Sequence, residues 1–171
     1  MQLTPILPGE FPTLYTELCR AFPKNERRVE ADARALLARS DYRPLFIESE
    51  GERVGLFSLF DLGEFLFIEH FLFLPEHRNR GLGAGALSLL AGRMLVLEVE
   101  LPTTPMAKRR LGFYERNGFF VNALDYAQPP YRNGDAPTPM HLLSSPARLP
   151  RPWAVAGMLY EKIYQKEWRG L

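Results

Sequence analysis

The clearest chemistry in this chain lies between residues 78 and 85, where two arginines and three glycines fall together. The run reads Arg78-Asn79-Arg80-Gly81-Leu82-Gly83-Ala84-Gly85, with the apolar stretch Ile68 to Leu74 before it and Ala86-Leu87-Ser88-Leu89-Leu90 after it. Glycine lets the backbone bend sharply and approach a ligand closely. The first N–H groups of a helix have no intrahelical partner and point at whatever anion lies ahead of them. Arg78 and Arg80 add full positive charge at that place. A strand, a basic glycine turn and a helix start form a phosphate cradle, and a diphosphate is its natural guest.

Other glycine loops fit this run less well. A Walker loop needs Lys followed by Ser or Thr after its last glycine, whereas Gly85 is followed by Ala86 and Leu87. Gly81-x-Gly83-x-x-Ala86 formally matches a relaxed dinucleotide fingerprint, with Glu98 and Glu100 as ribose ligands. That fold runs its strand almost directly into the first glycine, but here Pro75 to Arg80 intervene and too few βαβ units follow. An ordinary helix start has no need of two arginines and three glycines.

The spacing Arg78-x-x-Gly81-x-Gly83 resembles the Arg/Gln-x-x-Gly-x-Gly/Ala signature of the GNAT superfamily of N-acetyltransferases. Downstream, Tyr114-Glu115-Arg116-Asn117-Gly118-Phe119 is similar to that family's Tyr-Glu-x-x-Gly-Phe, and the resemblance covers residues 3 to 145. It implies an α+β chain with the acyl-CoA N-acyltransferase fold, a mixed, mostly antiparallel sheet flanked by helices. It also implies acetyl-coenzyme A as cosubstrate, with Phe73, Leu74, Arg78, Asn79, Arg80, Gly81, Leu82, Gly83, Ala84 and Gly85 as the coenzyme contacts. The implied reaction moves an acetyl group to a primary amine of a small molecule or peptide, directly, in a ternary complex. A transferase for a longer acyl chain, or a non-catalytic coenzyme A sensing module, would keep the same cradle.

Acyl transfer from a thioester to an amine requires that the amine lose a proton, the oxyanion be stabilised and the departing thiolate be protonated. The family motif gives the last task to Tyr114, whose phenol stays protonated at neutral pH. The carboxylate candidates for the base are Glu69 and Glu98. Strand alternation over Phe65 to Leu74 puts Glu69 with Phe67, Phe71 and Phe73 and leaves His70 on the other face as a packed histidine. A carboxylate among phenylalanines is expected to have a raised pKa, which suits a base. Some relatives carry a glutamate two residues earlier, where this chain has Phe67, so a water relay to Glu69 is an alternative. Glu98 sits inside Leu95-Val96-Leu97-Glu98-Val99 and needs a partner or a task. Many relatives place an asparagine seven residues before the tyrosine, at the position of Ala107.

Elements that would position these groups follow from periodicity. Helices are expected over 12–22, 26–38, 82–92 and 106–117, and strands over 44–48, 53–60, 65–74, 94–101, 119–123 and 140–143. The stiff segment around Pro129-Pro130 offers Tyr126, Gln128 and Tyr131 as an acceptor-side surface or as a plain rigid loop. Residues 1–145 are read as the transferase domain and 146–171 as a proline-rich linker with an amphipathic helix from Trp153 to about Trp168. Its stripe Ala156, Leu159, Tyr160, Ile163 and Tyr164 must be covered by the same domain or by a second copy in a homodimer.

A hydrophobic fraction of 46% fits a folded chain, and a net charge of +1 without a dense basic run argues against nucleic-acid binding. The single Cys19 excludes an internal disulfide, and with His70, His77 and His141 it forms no metal-binding pattern. No signal peptide and no long apolar run is read, so no membrane partner and a cytoplasmic location are expected.

Overall fold

The computed structural model describes residues 1–168, so Arg169, Gly170 and Leu171, the end of the expected C-terminal segment, lie outside the described residues. The chain forms two compact units, Met1–Arg93 and Met94–Leu171.

In the first unit, β1 (Gln2–Pro5), β2 (Tyr42–Ser49), β3 (Glu52–Asp61) and β4 (Leu66–Phe73) pair antiparallel in that order. Glu50 and Gly51 both have positive φ, 54° and 83°, which is what a two-residue hairpin turn between β2 and β3 requires. Helix α1 (Phe11–Ala21) turns Phe11, Leu14 and Leu18 onto one side, where they pack with Ile6, Ala33, Phe46, Leu56 and Leu72. The expected second helix is shorter than its periodicity suggests. Its regular part, α2, is Glu30–Ala35, preceded by a 3-10 turn at Lys24–Glu26 and followed by another at Leu36–Ala38. Arg27 is extended, with φ −146° and ψ 151°. The side-chain bonds of Arg28 to β4 explain why: a buried charge pair outweighs local helix propensity.

Strand β4 contains the feature that matters most for the site. Ser58 pairs with His70 and Leu59 with Ile68, so Glu69 is an extra residue, a β-bulge. Strict alternation predicted opposite faces for Glu69 and His70. The bulge resets the alternation and brings the Glu69 carboxylate within 3.5 Å of the His70 ring.

In the second unit, β8 (Thr138–Ser145) pairs antiparallel with β5 (Leu95–Glu100), β6 (Phe120–Val121) and β7 (Tyr126–Gln128). Helix α3 (Leu82–Ser88) belongs to the first unit, and α4 (Pro105–Arg116) and α5 (Pro152–Leu159) to the second. The expected long C-terminal helix changes character after Leu159, becoming a π-helical turn over Tyr160–Tyr164 that stops at Gln165, φ 54°. Of the apolar stripe, Ala156, Leu159, Ile163 and Tyr164 are buried and Tyr160 is half-buried. The fold is the α+β class expected, a mostly antiparallel sheet flanked by helices. Among the described residues no helix is long and apolar enough to cross a membrane.

Candidate active site

The loop after β4 is built as a cradle. A 3-10 turn at Pro75–His77 lifts the chain off the sheet, and Arg78 Nε ties back to the Phe73 carbonyl at 3.0 Å. Arg80 Nη1 lies 3.2 Å from His77 Nδ1. Asn79 and Gly81 take positive φ of 58° and 74°, the double bend that turns the loop into α3. Arg78, Asn79, Arg80, Gly81, Ala84 and Gly85 are exposed, and Phe73, Leu74, Leu82 and Gly83 are half-buried. Among the described residues a Cβ on Gly81 would meet nothing within 4 Å, and one on Gly85 only the end of the Met1 side chain, at 3.6 Å. The bent loop is thus open on its outer side and edged by two exposed guanidinium groups, which fits a coenzyme A diphosphate. Helix α3 is only 7 residues long, so the attraction of this loop for an anion would rest more on arginine charge and loop N–H groups than on any helix dipole.

Glu69 is held tightly. Its side chain is 2% exposed and that of Arg28 14%. Arg28 Nε and Nη2 both donate to Glu69 Oε1, at 3.1 and 3.0 Å, and Ser58 Oγ donates to Oε2 at 3.2 Å. Ser58 also lies 3.0 Å from the Tyr42 hydroxyl, whose own pKa burial drives upward. Burial by itself raises the Glu69 pKa, but the charge of Arg28 more than offsets it and holds the carboxyl at about 2. The raised pKa expected from its phenylalanine neighbours is therefore reversed, because the bulge points the carboxylate at Arg28. The stability this group contributes is fully present above the ordinary carboxylate range and is lost as pH falls toward 2. A Glu69→Gln protein should lack that acid-dependent step in a thermal melt series between about pH 5 and pH 2.

Glu98 has found partners in its own unit. It accepts hydrogen bonds from the Tyr126 hydroxyl, from Gln128 Nε2 at 2.8 Å and from the Tyr164 hydroxyl at 2.5 Å. Tyr126 and Gln128 are two apart on β7 and share a face, which places both on the carboxylate. Burial, reinforced by the Glu98 charge, pushes the Tyr126 and Tyr164 phenols well above their usual pKa, so both remain donors. The Tyr131 ring packs on that of Tyr164 at 5.5 Å. Tyr126 and Gln128 are buried and face inward, where the sequence offered them as an acceptor-side surface. Tyr164→Phe should cost about 2 kcal/mol of stability, the usual worth of a hydrogen bond to a charged group, read as a lower denaturant midpoint.

Tyr114 sits in α4, whose start is capped by Thr104 Oγ1 accepting from Ala107 N at 3.1 Å. Its ring meets Phe113 and Phe119 edge-on at 5.2 and 5.4 Å. Burial pushes its phenol up to about 12, so the proton is retained at any physiological pH. Arg28 and Ser58 were not singled out from the sequence, and Tyr164 was read only as part of the C-terminal apolar stripe. Arg28 meets its carboxylate across 41 residues of chain and Tyr164 across 66, and no local spacing signals such pairs.

Comparison with known proteins agrees with this geometry. Residues 11–119 match the acetyltransferase (GNAT) family model. A structure from Bacteroides thetaiotaomicron assigned to the GNAT acetyltransferases is 31% identical, with a TM-score of 0.90 over 96% of this chain and 98% of that one. The ribosomal-protein-S18-alanine N-acetyltransferase from Escherichia coli shares the fold at 16% identity, with a TM-score of 0.60 over 86% and 94% of the two chains. A variant of the Vibrio cholerae spermidine N-acetyltransferase does so at 14% identity, with a TM-score of 0.58 over 84% and 94%. No match was found among curated proteins. The chain belongs to the GNAT acetyltransferase family. It is an acyltransferase, and the cosubstrate of that family is acetyl-coenzyme A.

Proposed function

We propose that this protein transfers an acetyl group from acetyl-coenzyme A directly to a primary amine of a small molecule or peptide, in a ternary complex. The observation that carries the reading is the open basic loop from Arg78 to Gly85 in a chain of this family. Its N–H groups and two arginines hold the diphosphate, and Phe73 and Leu74 border it. Tyr114 gives its proton to the departing sulfur, a task suited to a phenol that burial keeps protonated. The acceptors named for the fold relatives, spermidine and an alanine of ribosomal protein S18, support an amine as the nucleophile. Cys19 lies in α1 and gives no reason for a covalent acetyl-enzyme.

One observation favours a second reading, a coenzyme A sensing module: both carboxylates considered as bases are already engaged, Glu69 by Arg28 and Glu98 by Tyr126, Gln128 and Tyr164. Release of free coenzyme A from acetyl-coenzyme A, measured over a panel of polyamines, aminoglycosides and peptides with free N-termini, decides between them. Amine-dependent release is expected, and binding without release would leave the sensing module. The cradle has its own test. Gly81→Val puts a β-branched side chain at φ 74°, and coenzyme A affinity by calorimetry should fall about ten-fold or more in a protein that still folds. Unchanged affinity would remove this loop from the coenzyme site.

A further inference from the structure

We propose that His70 is the group that takes the proton from the acceptor amine, an inference that rests on the acetyltransferase reading above. His70 is buried, and its Nε2 lies 3.1 Å from the Glu26 carbonyl oxygen. A carbonyl only accepts, so Nε2 carries a hydrogen, and in the neutral ring the lone pair is on Nδ1. That atom is buried and has no hydrogen-bond partner among the described residues. At 3.5 Å, Glu69 Oε2 is nearby, but it is another acceptor and cannot satisfy it. A buried polar atom without a partner is costly and asks for an explanation.

Beside these two acceptors lies a void of about 10 Å³, bordered by Tyr15, Arg27, Arg28, Tyr42, Glu69 and His70. Tyr15, Arg27 and Arg28 on its border are only half-buried, so the void reaches toward the surface. Its size suits one small hydride group, a water or the –NH2 head of a primary amine, and not a substituted nitrogen. Two converging acceptors match a group with two N–H bonds. The charged and titratable groups facing the ring are Tyr15 from α1, Arg27 and Arg28 from the segment after it, Tyr42 from β2 and Glu69 beside it on β4, while Glu26 meets it through its backbone carbonyl. Glu69 is pinned by Arg28 and stays ionised. It orients the second N–H and leaves the imidazole as the site of proton uptake.

The step balances without any further reagent. The amine lone pair forms the C–N bond at the thioester carbonyl carbon, and the C–S bond breaks with its electron pair going to sulfur. The N–H proton moves to His70 Nδ1, sulfur is protonated to the thiol by the acid proposed above, and both protein groups return to their starting states through solvent.

The test uses the full chain labelled with ¹⁵N-histidine, its three imidazoles assigned by elimination with His77→Gln and His141→Gln. Addition of propylamine to the coenzyme A complex should shift the His70 Nδ1 resonance, and trimethylamine should not. In turnover, His70→Gln should lower kcat about a hundred-fold and remove the acidic limb of its pH profile, with coenzyme A affinity unchanged. A His70 resonance indifferent to propylamine means that the void holds a structural water only, and the proposal fails. It fails as well if folded His70→Gln protein keeps its rate and its limb. The resonance measurement needs neither a His70 variant nor turnover. A parent protein that acetylates no amine would overturn the proposed function, while the propylamine titration would still decide the role of Nδ1.

Discussion

Glutamine at position 69 should lower stability by about 3–5 kcal/mol, the usual cost of leaving one member of a buried ion pair uncompensated. Glutamine keeps the shape of the side chain, so the loss comes from the Arg28 guanidinium, 14% exposed and bonded twice to Glu69 Oε1. For a chain of this length that corresponds to a fall in melting temperature of about 10 °C or more. Removing both charges together should behave differently. A Glu69→Gln, Arg28→Met protein has no stranded charge and should recover most of the loss, because apolar replacement of a whole buried pair is often neutral. If the double variant were as unstable as the single one, the pair would not be what holds the segment before α2 to the bulge of β4. The kinetic expectation is equally definite. With the carboxyl held at about 2, an acidic limb at higher pH in the rate profile does not belong to Glu69. The limb should survive in Glu69→Gln protein that remains folded at the assay temperature.

The same cluster shows why some of the site could be read from sequence and some could not. The cradle is local: two arginines and three glycines within eight residues specify a bend, a charge and an opening, and the backbone adopts the positive φ that such a bend requires. Helix α1 and the strands β2 to β4 follow from periodicity for the same reason. What periodicity cannot register is a bulge. One extra residue at Glu69 changes which side chains face each other, and nothing in Phe65 to Leu74 announces it. Short β1 and β7 were missed because Gln2–Pro5 and Tyr126–Gln128 are too brief to show alternation. Their role is set by partners, with β7 carrying Tyr126 and Gln128 onto Glu98 from about 30 residues away. The C-terminal helix was legible as an amphipathic stripe, but its π-helical turn was not. That turn is where Tyr160 reaches the Ala127 carbonyl and Tyr164 reaches Glu98.

Tyr114→Phe should lower turnover about a hundred-fold while leaving coenzyme A affinity within two-fold, the pattern of an interaction made only in the transition state. The ring contacts with Phe113 and Phe119 survive this change, since phenylalanine keeps the edge-on geometry at 5.2 and 5.4 Å. Stability should therefore hold. The phenol is suited to donation and not to proton uptake: burial has moved it up to about 12, so it is fully protonated where the reaction runs. A high pKa also means that it gives up its proton only to a strongly basic partner. A thiolate leaving from a tetrahedral intermediate is one at the moment its C–S bond breaks. The defect in Tyr114→Phe should accordingly shrink for acyl donors whose thiol is more acidic, because such a thiolate leaves without help. Measuring kcat for wild type and variant with acetyl-coenzyme A and with a more acidic thioester that still carries the diphosphate separates the two roles. A variant slowed equally with both donors would assign Tyr114 to packing, and a slowing confined to the more basic thiolate would assign it to proton donation.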